Sequence, residues 1–100
     1  MKAVKVATVD DIPEGTAMMV QANGKDIALF HINGEFYAID NLCPHQGGSL
    51  SEGFIEGSKV TCPFHSWQFD VTSGQGIMPP SEGVKSYPVD IQGNDIYVEV

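Results

Sequence analysis

Apolar and polar residues alternate along this chain in short runs, and nearly every run stops at a turn signal. Ala3–Val9 is rich in valine and threonine, which suit a pleated half-buried surface, and predicts a first strand. Asp10-Asp11-Ile12-Pro13-Glu14-Gly15 predicts a turn with solvated carboxylates, since Pro13 presets φ and Gly15 permits a sharp reversal. Thr16–Gln21 and Asp26–Ile32 predict two strands around Asn23-Gly24, the residue pair best suited to a tight hairpin. Asn33-Gly34 repeats that signal and leads into Glu35–Asp40, giving a three-strand meander. Ile27–Ile32 is apolar on both faces, which predicts a central strand.

The second half is more broken. Leu50–Gly57 predicts irregular chain or a short strand between turns, and Lys59–Cys62 a short strand. In Ser66–Val71, Trp67, Phe69 and Val71 alternate with Ser66, Gln68 and Asp70, the mark of a half-buried strand. A turn follows over Thr72–Gly76. Ile77-Met78-Pro79-Pro80 cannot be a central strand, because two prolines remove ladder donors. Val84–Gln92 and Asp95–Val100 predict a last hairpin around Gly93-Asn94. No helical period lasts beyond two turns. The fold class is therefore all-β, an antiparallel β-sandwich or barrel.

Composition narrows the function. One hundred residues make one domain with one core, and roughly 65% of the unfolded chain's surface can be buried at that size. Hydrophobic residues at 42% mark a globular chain. Thirteen acidic residues against five lysines, with no arginine, give a net charge of -8. That excludes nucleic acid as a partner, whose phosphates need cations, and suits a protein that docks on basic patches. The first residues carry no hydrophobic signal segment and no stretch approaches a membrane span, so a cytoplasmic protein is expected.

The chemistry gathers in two stretches, Cys43-Pro44-His45 and Cys62-Pro63-Phe64-His65, with sixteen residues between His45 and Cys62. They hold both cysteines and two of the three histidines. A single disulfide is disfavoured in a reducing compartment, and the paired imidazoles point to metal. Thiolate and imidazole suit zinc and iron alike. A structural zinc site usually offers its cysteines together and then its histidines. Here each half offers one of each, so a single zinc or a [2Fe–2S] cluster both stand. His31 has no cysteine neighbour and reads as a strand histidine rather than a ligand.

This pair of motifs resembles the Rieske signature. The resemblance covers nearly the whole chain, and the size and layout are similar to the small Rieske-type ferredoxins of ring-hydroxylating oxygenases. It implies a Rieske-type antiparallel β-sandwich/barrel with a cluster-binding subdomain of two loops. One Rieske [2Fe–2S] domain would span 1–100, with cluster-binding loops at about 41–50 and 61–68 and a proline loop at about 76–81. By the same resemblance Cys43 and Cys62 bind the inner iron of one [2Fe–2S] cluster, and His45 and His65 the outer iron. Two neutral imidazoles in place of two thiolates make such a cluster less negative and easier to reduce, at roughly -150 to +300 mV against about -400 mV. The implied function is one-electron transfer from a flavoprotein ferredoxin reductase to a terminal oxygenase. The chain would be a monomer without substrate turnover of its own.

Departures from the family's high-potential branch sharpen this. Its members carry a serine and a tyrosine whose hydroxyls bond the cluster; the matching positions are Trp67 and Phe69. At about 1–2 kcal/mol for each bond, their loss lowers the potential by roughly 40–90 mV each. A midpoint below about 0 mV is expected. Ser66 stands where most relatives have glycine, Gly47 and Gly48 keep the first loop permissive, and Met78-Pro79-Pro80 would cover the cluster. Trp67 reads as core packing. Two other readings fit the motifs, the small subunit of an assimilatory nitrite reductase and a structural zinc module for protein binding.

Overall fold

The computed structural model describes residues 3–41, 49–61, 68–76 and 83–100. They form ten strands: β1 (Ala3–Thr8), β2 (Thr16–Ala22), β3 (Lys25–Ile32), β4 (Glu35–Asp40), β5 (Phe54–Glu56), β6 (Lys59–Thr61), β7 (Gln68–Asp70), β8 (Ser86–Tyr87), β9 (Val89–Gln92) and β10 (Asp95–Glu99). Two three-residue 3₁₀ turns, Val9–Asp11 and Leu50–Glu52, are the only helical segments among the described residues. Every strand pairing is antiparallel.

The strands make three sheets, ordered β1-β10-β9, β2-β3-β4-β8 and β5-β6-β7. The four-stranded sheet lies in the middle because β3 is apolar on both faces. Successive side chains of a strand point to opposite faces. Ile27 and Leu29 accordingly join one core with Val20, Ala38, Ile96 and Val98. Ala28, Phe30 and Ile32 join a second core with Ile39, Leu50, Val60 and Phe69. Ile27, Ala28, Leu29 and Phe30 are all fully buried. The first core sits under the terminal sheet and the second under β5-β6-β7, the sheet that carries one of the two motifs.

The meander follows the turn chemistry. Asn23 and Asn33 take the left-handed conformation, φ 53° and 54°, each followed by a glycine with positive φ. Two such residues in sequence match the right-handed twist of the flanking strands. The register runs Thr16↔His31 through Ala22↔Lys25, then Ile27↔Asp40 through Ile32↔Glu35. The three expected strands and the central place of β3 are all observed.

Two expectations change. The segment Val84–Gln92 is not one strand. It breaks at Pro88, which has no N–H to give a ladder. Ser86–Tyr87 pairs with β4 in the middle sheet, while Val89–Gln92 pairs with β10 in the terminal sheet. The Pro88 carbonyl accepts the Glu99 N–H at 3.0 Å, which holds the crossing point. The first strand stops at Thr8, because the Asp11 carboxylate accepts the Thr8 N–H at 3.0 Å and bends the chain into a 3₁₀ turn. The turn carboxylates are exposed, as expected, but Glu14 also makes structural hydrogen bonds. Glu14 accepts the N–H groups of Asn33 and Gly34, at 2.5 and 2.7 Å, and so pins the β3–β4 turn from nineteen residues away. The Gly34 N–H, ahead of that of Asn33, holds its carboxyl below the usual carboxylate range.

Candidate metal centre

Cys43, His45, Cys62 and His65 lie outside the described residues, as do Gly47, Gly48, Ser66, Trp67, Met78, Pro79 and Pro80. The residues that flank them are described, and they define how the motif-bearing segments leave and rejoin the scaffold.

The 42–48 segment begins and ends on one residue. Asn41 is 3% exposed and is the one buried polar side chain among the described residues. Its N–H donates to the Asp26 carbonyl at 3.0 Å, and its own carbonyl accepts the Leu50 N–H at 2.7 Å. Its Oδ1 accepts the Ser51 N–H at 3.0 Å, and its Nδ2 donates to Ser49 Oγ at 3.3 Å. A buried amide is costly unless its groups are paired. Here the pairing joins residue 41 to residues 49–51, so the segment with Cys43 and His45 is closed at its base.

The 62–67 segment is closed by a strand pair. Thr61 and Gln68 are opposite one another in the β6–β7 ladder, and Gln68 Nε2 donates to Thr61 Oγ1 at 3.4 Å. Cys62 follows Thr61 directly, and β7 takes the chain back under the second core through Phe69, which is 1% exposed. Gln68–Asp70 is the described part of the strand expected over Ser66–Val71. Phe69 packs with Val60 and Leu50 and offers no hydroxyl.

The residues on either side of 77–82 also meet. The Val84 N–H donates to the Gly74 carbonyl at 2.7 Å. Gly74 has φ +79°, and a Cβ there would lie 2.1 Å from the Val84 carbonyl oxygen, so the chain ends meet at a contact only glycine allows. From Val84 the chain reaches the foot of the first segment. The Asp40 N–H donates to the Lys85 carbonyl at 2.9 Å, and the Tyr87 hydroxyl donates to Asp40 Oδ1 at 2.6 Å. Lys25 and Lys85 place their ammonium groups 5.8 and 5.3 Å from the Tyr87 ring centroid.

His31 is structural, as its place in the sequence suggests. Its Nδ1 is 2.7 Å from the Ile12 carbonyl, its ring stacks on Phe36 at 4.1 Å, and its Nε2 lies 3.5 Å from Glu14. It pairs with Phe36 near the start of β4, whereas Asn41 follows the end of that strand.

Residues 2–88 match the Rieske [2Fe–2S] domain family. The chain belongs to the Rieske [2Fe–2S] family. Its cofactor is a Rieske [2Fe–2S] cluster, which sets the zinc reading aside. This Rieske chain is 42% identical over 98 residues to the ferredoxin component of the naphthalene 1,2-dioxygenase/salicylate 5-hydroxylase systems of Ralstonia sp, covering 97% of this chain and 94% of the relative. The ferredoxin of carbazole 1,9a-dioxygenase from Nocardioides aromaticivorans IC177 superposes with a TM-score of 0.91 at 31% identity, over 98% of this chain and 97% of that one. A chain of the complex of reduced oxygenase and oxidized ferredoxin in carbazole 1,9a-dioxygenase matches at 0.88 and 31%, over 96% and 91%. A nitrite reductase small subunit from Mycobacterium tuberculosis shares the fold at 0.90, but at 23% identity, over 99% and 96%. This Rieske chain is thus a ferredoxin, a one-electron carrier of the kind that serves oxygenase systems and leaves turnover to another component.

The sequence does not single out Asn41, which organises the base of the first motif segment, or Gly53, whose missing Cβ leaves room for the Thr61 carbonyl at the base of the second. Asn41 reads in the sequence as loop, separated from Cys43 by Leu42. Gly53 reads in the sequence as one more turn residue.

Proposed function

We propose that this ferredoxin holds its cluster with Cys43 and Cys62 on one iron and His45 and His65 on the other. It would carry single electrons from a flavoprotein reductase to the terminal oxygenase of a ring-hydroxylating system. The observation that carries the ligand reading is the closure of both motif-bearing segments on elements that pack around the second core, the end of β4 and the β6–β7 pair. Asn41 closes the first and the Thr61–Gln68 pair closes the second. Two thiolates and two neutral imidazoles, one of each per segment, fit a Rieske cluster in charge and softness. When bound, the cluster supplies a site that gains and loses one electron. The chain's part would be to fix the four donors and to limit solvent around the thiolates. The 42% identity to a dioxygenase ferredoxin supports the oxygenase partner over the nitrite reductase reading, whose neighbour shares fold alone. A single domain over 1–100, a monomer and a cytoplasmic location complete the proposal. Among the described residues no helix is long and apolar enough to cross a membrane.

Electron paramagnetic resonance of the reduced protein tests the ligands. Cys43→Ser and His65→Ala are expected to abolish the histidine-ligated [2Fe–2S] signal, and a full signal in either variant overturns the assignment. Potentiometry on the unsubstituted protein is expected to return a midpoint below about 0 mV, as the absence of the two hydroxyls at Trp67 and Phe69 requires.

A further inference from the structure

The bases of the two motif segments are not independent; they touch through a glycine. The Leu50 carbonyl accepts the Gly53 N–H at 3.0 Å, and the Leu50 N–H is the one that Asn41 holds. Gly53 in turn lies flat against β6. A Cβ at position 53 would sit 2.3 Å from the Thr61 carbonyl oxygen, 3.0 Å from Val60 Cγ2 and 3.2 Å from the Leu50 carbonyl oxygen. Gly53 has φ -77°, which any residue adopts, so the need for glycine here is one of space and not of backbone conformation. Its main obstacle is backbone, which cannot swing aside as a side chain can. A continuous path therefore runs from Asn41 through Leu50 and Gly53 to Thr61, the residue before Cys62. It links one base to the other without using a residue of either motif segment.

We infer that Asn41 and Gly53 are positioning residues that set the separation of the two ligand segments. The inference rests on the ligand reading above. In that reading each iron takes one donor from each segment, Cys43 with Cys62 and His45 with His65. A change in separation therefore strains both irons at once. Any side chain at position 53 wedges Thr61 away from Leu50, and removing a partner of Asn41 loosens the other end of the same path.

The test is iron release from the holoprotein to an excess of chelator, with electron paramagnetic resonance g-values of the reduced state as a second readout. Gly53→Ala is compared with Leu29→Ala, a change in the core under the terminal sheet. Each is measured equally far below its own melting temperature, which removes the share due to lost global stability. Gly53→Ala is expected to release iron at least tenfold faster than Leu29→Ala and to displace the g-values, while Leu29→Ala keeps those of the unsubstituted protein. Release at the Leu29→Ala rate with unchanged g-values overturns the inference. Should Gly53→Ala accumulate without a cluster, Ser49→Ala decides. It removes only the hydroxyl that accepts from Asn41 Nδ2, and is expected to speed release two- to fivefold when measured equally far below its own melting temperature. No change in its release rate overturns the inference. The ligand reading fails separately, through a retained signal in Cys43→Ser.

Discussion

Tyr87 joins the first motif segment to the return of the proline-bearing one, and its ionisation reports on that junction. Burial, and then the hydrogen bond its hydroxyl donates to Asp40, push the phenol up to about 12 from an ordinary 10. The folded-state value is the raised one. The stabilising contribution is therefore complete below pH 10 and is lost as pH rises through about 12. Ultraviolet titration is expected to show a tyrosinate phase centred near pH 12 that is absent from Tyr87→Phe; a Tyr87 phase complete by pH 10.5 would mean that the hydrogen bond to Asp40 is not formed. None of this was legible in the sequence, because Asp40 and Tyr87 are forty-seven residues apart and meet only through the β4–β8 pairing. The same holds for Glu14, an exposed turn residue whose carboxylate also pins a distant hairpin. By contrast His31 was read correctly from local facts alone: no thiol neighbour, and a place inside a strand.

At the scale of elements, β3 shows why the first half of the chain was easy to read. Its apolar residues on both faces required a layer above and a layer below, and the two cores supply them. Phe30 is the largest side chain it gives to the core beneath the motif-bearing sheet, and it is fully buried. Phe30→Ala is expected to cost about 3–5 kcal/mol, transfer and cavity terms together. At about 4 °C per kcal/mol for a domain of this size, the melting temperature should fall by at least about 12 °C. A scan of the holoprotein showing a fall of less than about 4 °C would mean that Phe30 does not fill that core. The last third was harder. Val84–Gln92 alternates well enough for one strand, and Pro88 was the unused signal that the strand must stop. Gly53 had no such signal. Its requirement is a contact with Thr61, eight residues on, and a turn glycine and a packing glycine look alike until the chain is folded.

For the whole molecule the deciding quantity is charge. A net charge of -8 on one hundred residues produces a field that favours basic surfaces, and such steering governs encounter rates more than final affinity. The screening length falls from about 10 Å at 0.1 M salt to about 3 Å at 1 M. Electron transfer to the oxygenase is therefore expected to slow at least tenfold between roughly 20 and 500 mM salt. Net charge alone would make all acidic residues equal, whereas docking by the motif-bearing end would not. Glu52 is exposed in the 3₁₀ turn that joins the two motif segments, and Asp90 is exposed on β9 in the terminal sheet. Glu52→Lys and Asp90→Lys change the net charge equally. Stopped-flow transfer rates across that salt range should show a markedly flatter dependence for Glu52→Lys than for Asp90→Lys. Equal slopes would place the effect in the overall field, and a rate indifferent to salt in all three proteins would remove electrostatic steering from the account.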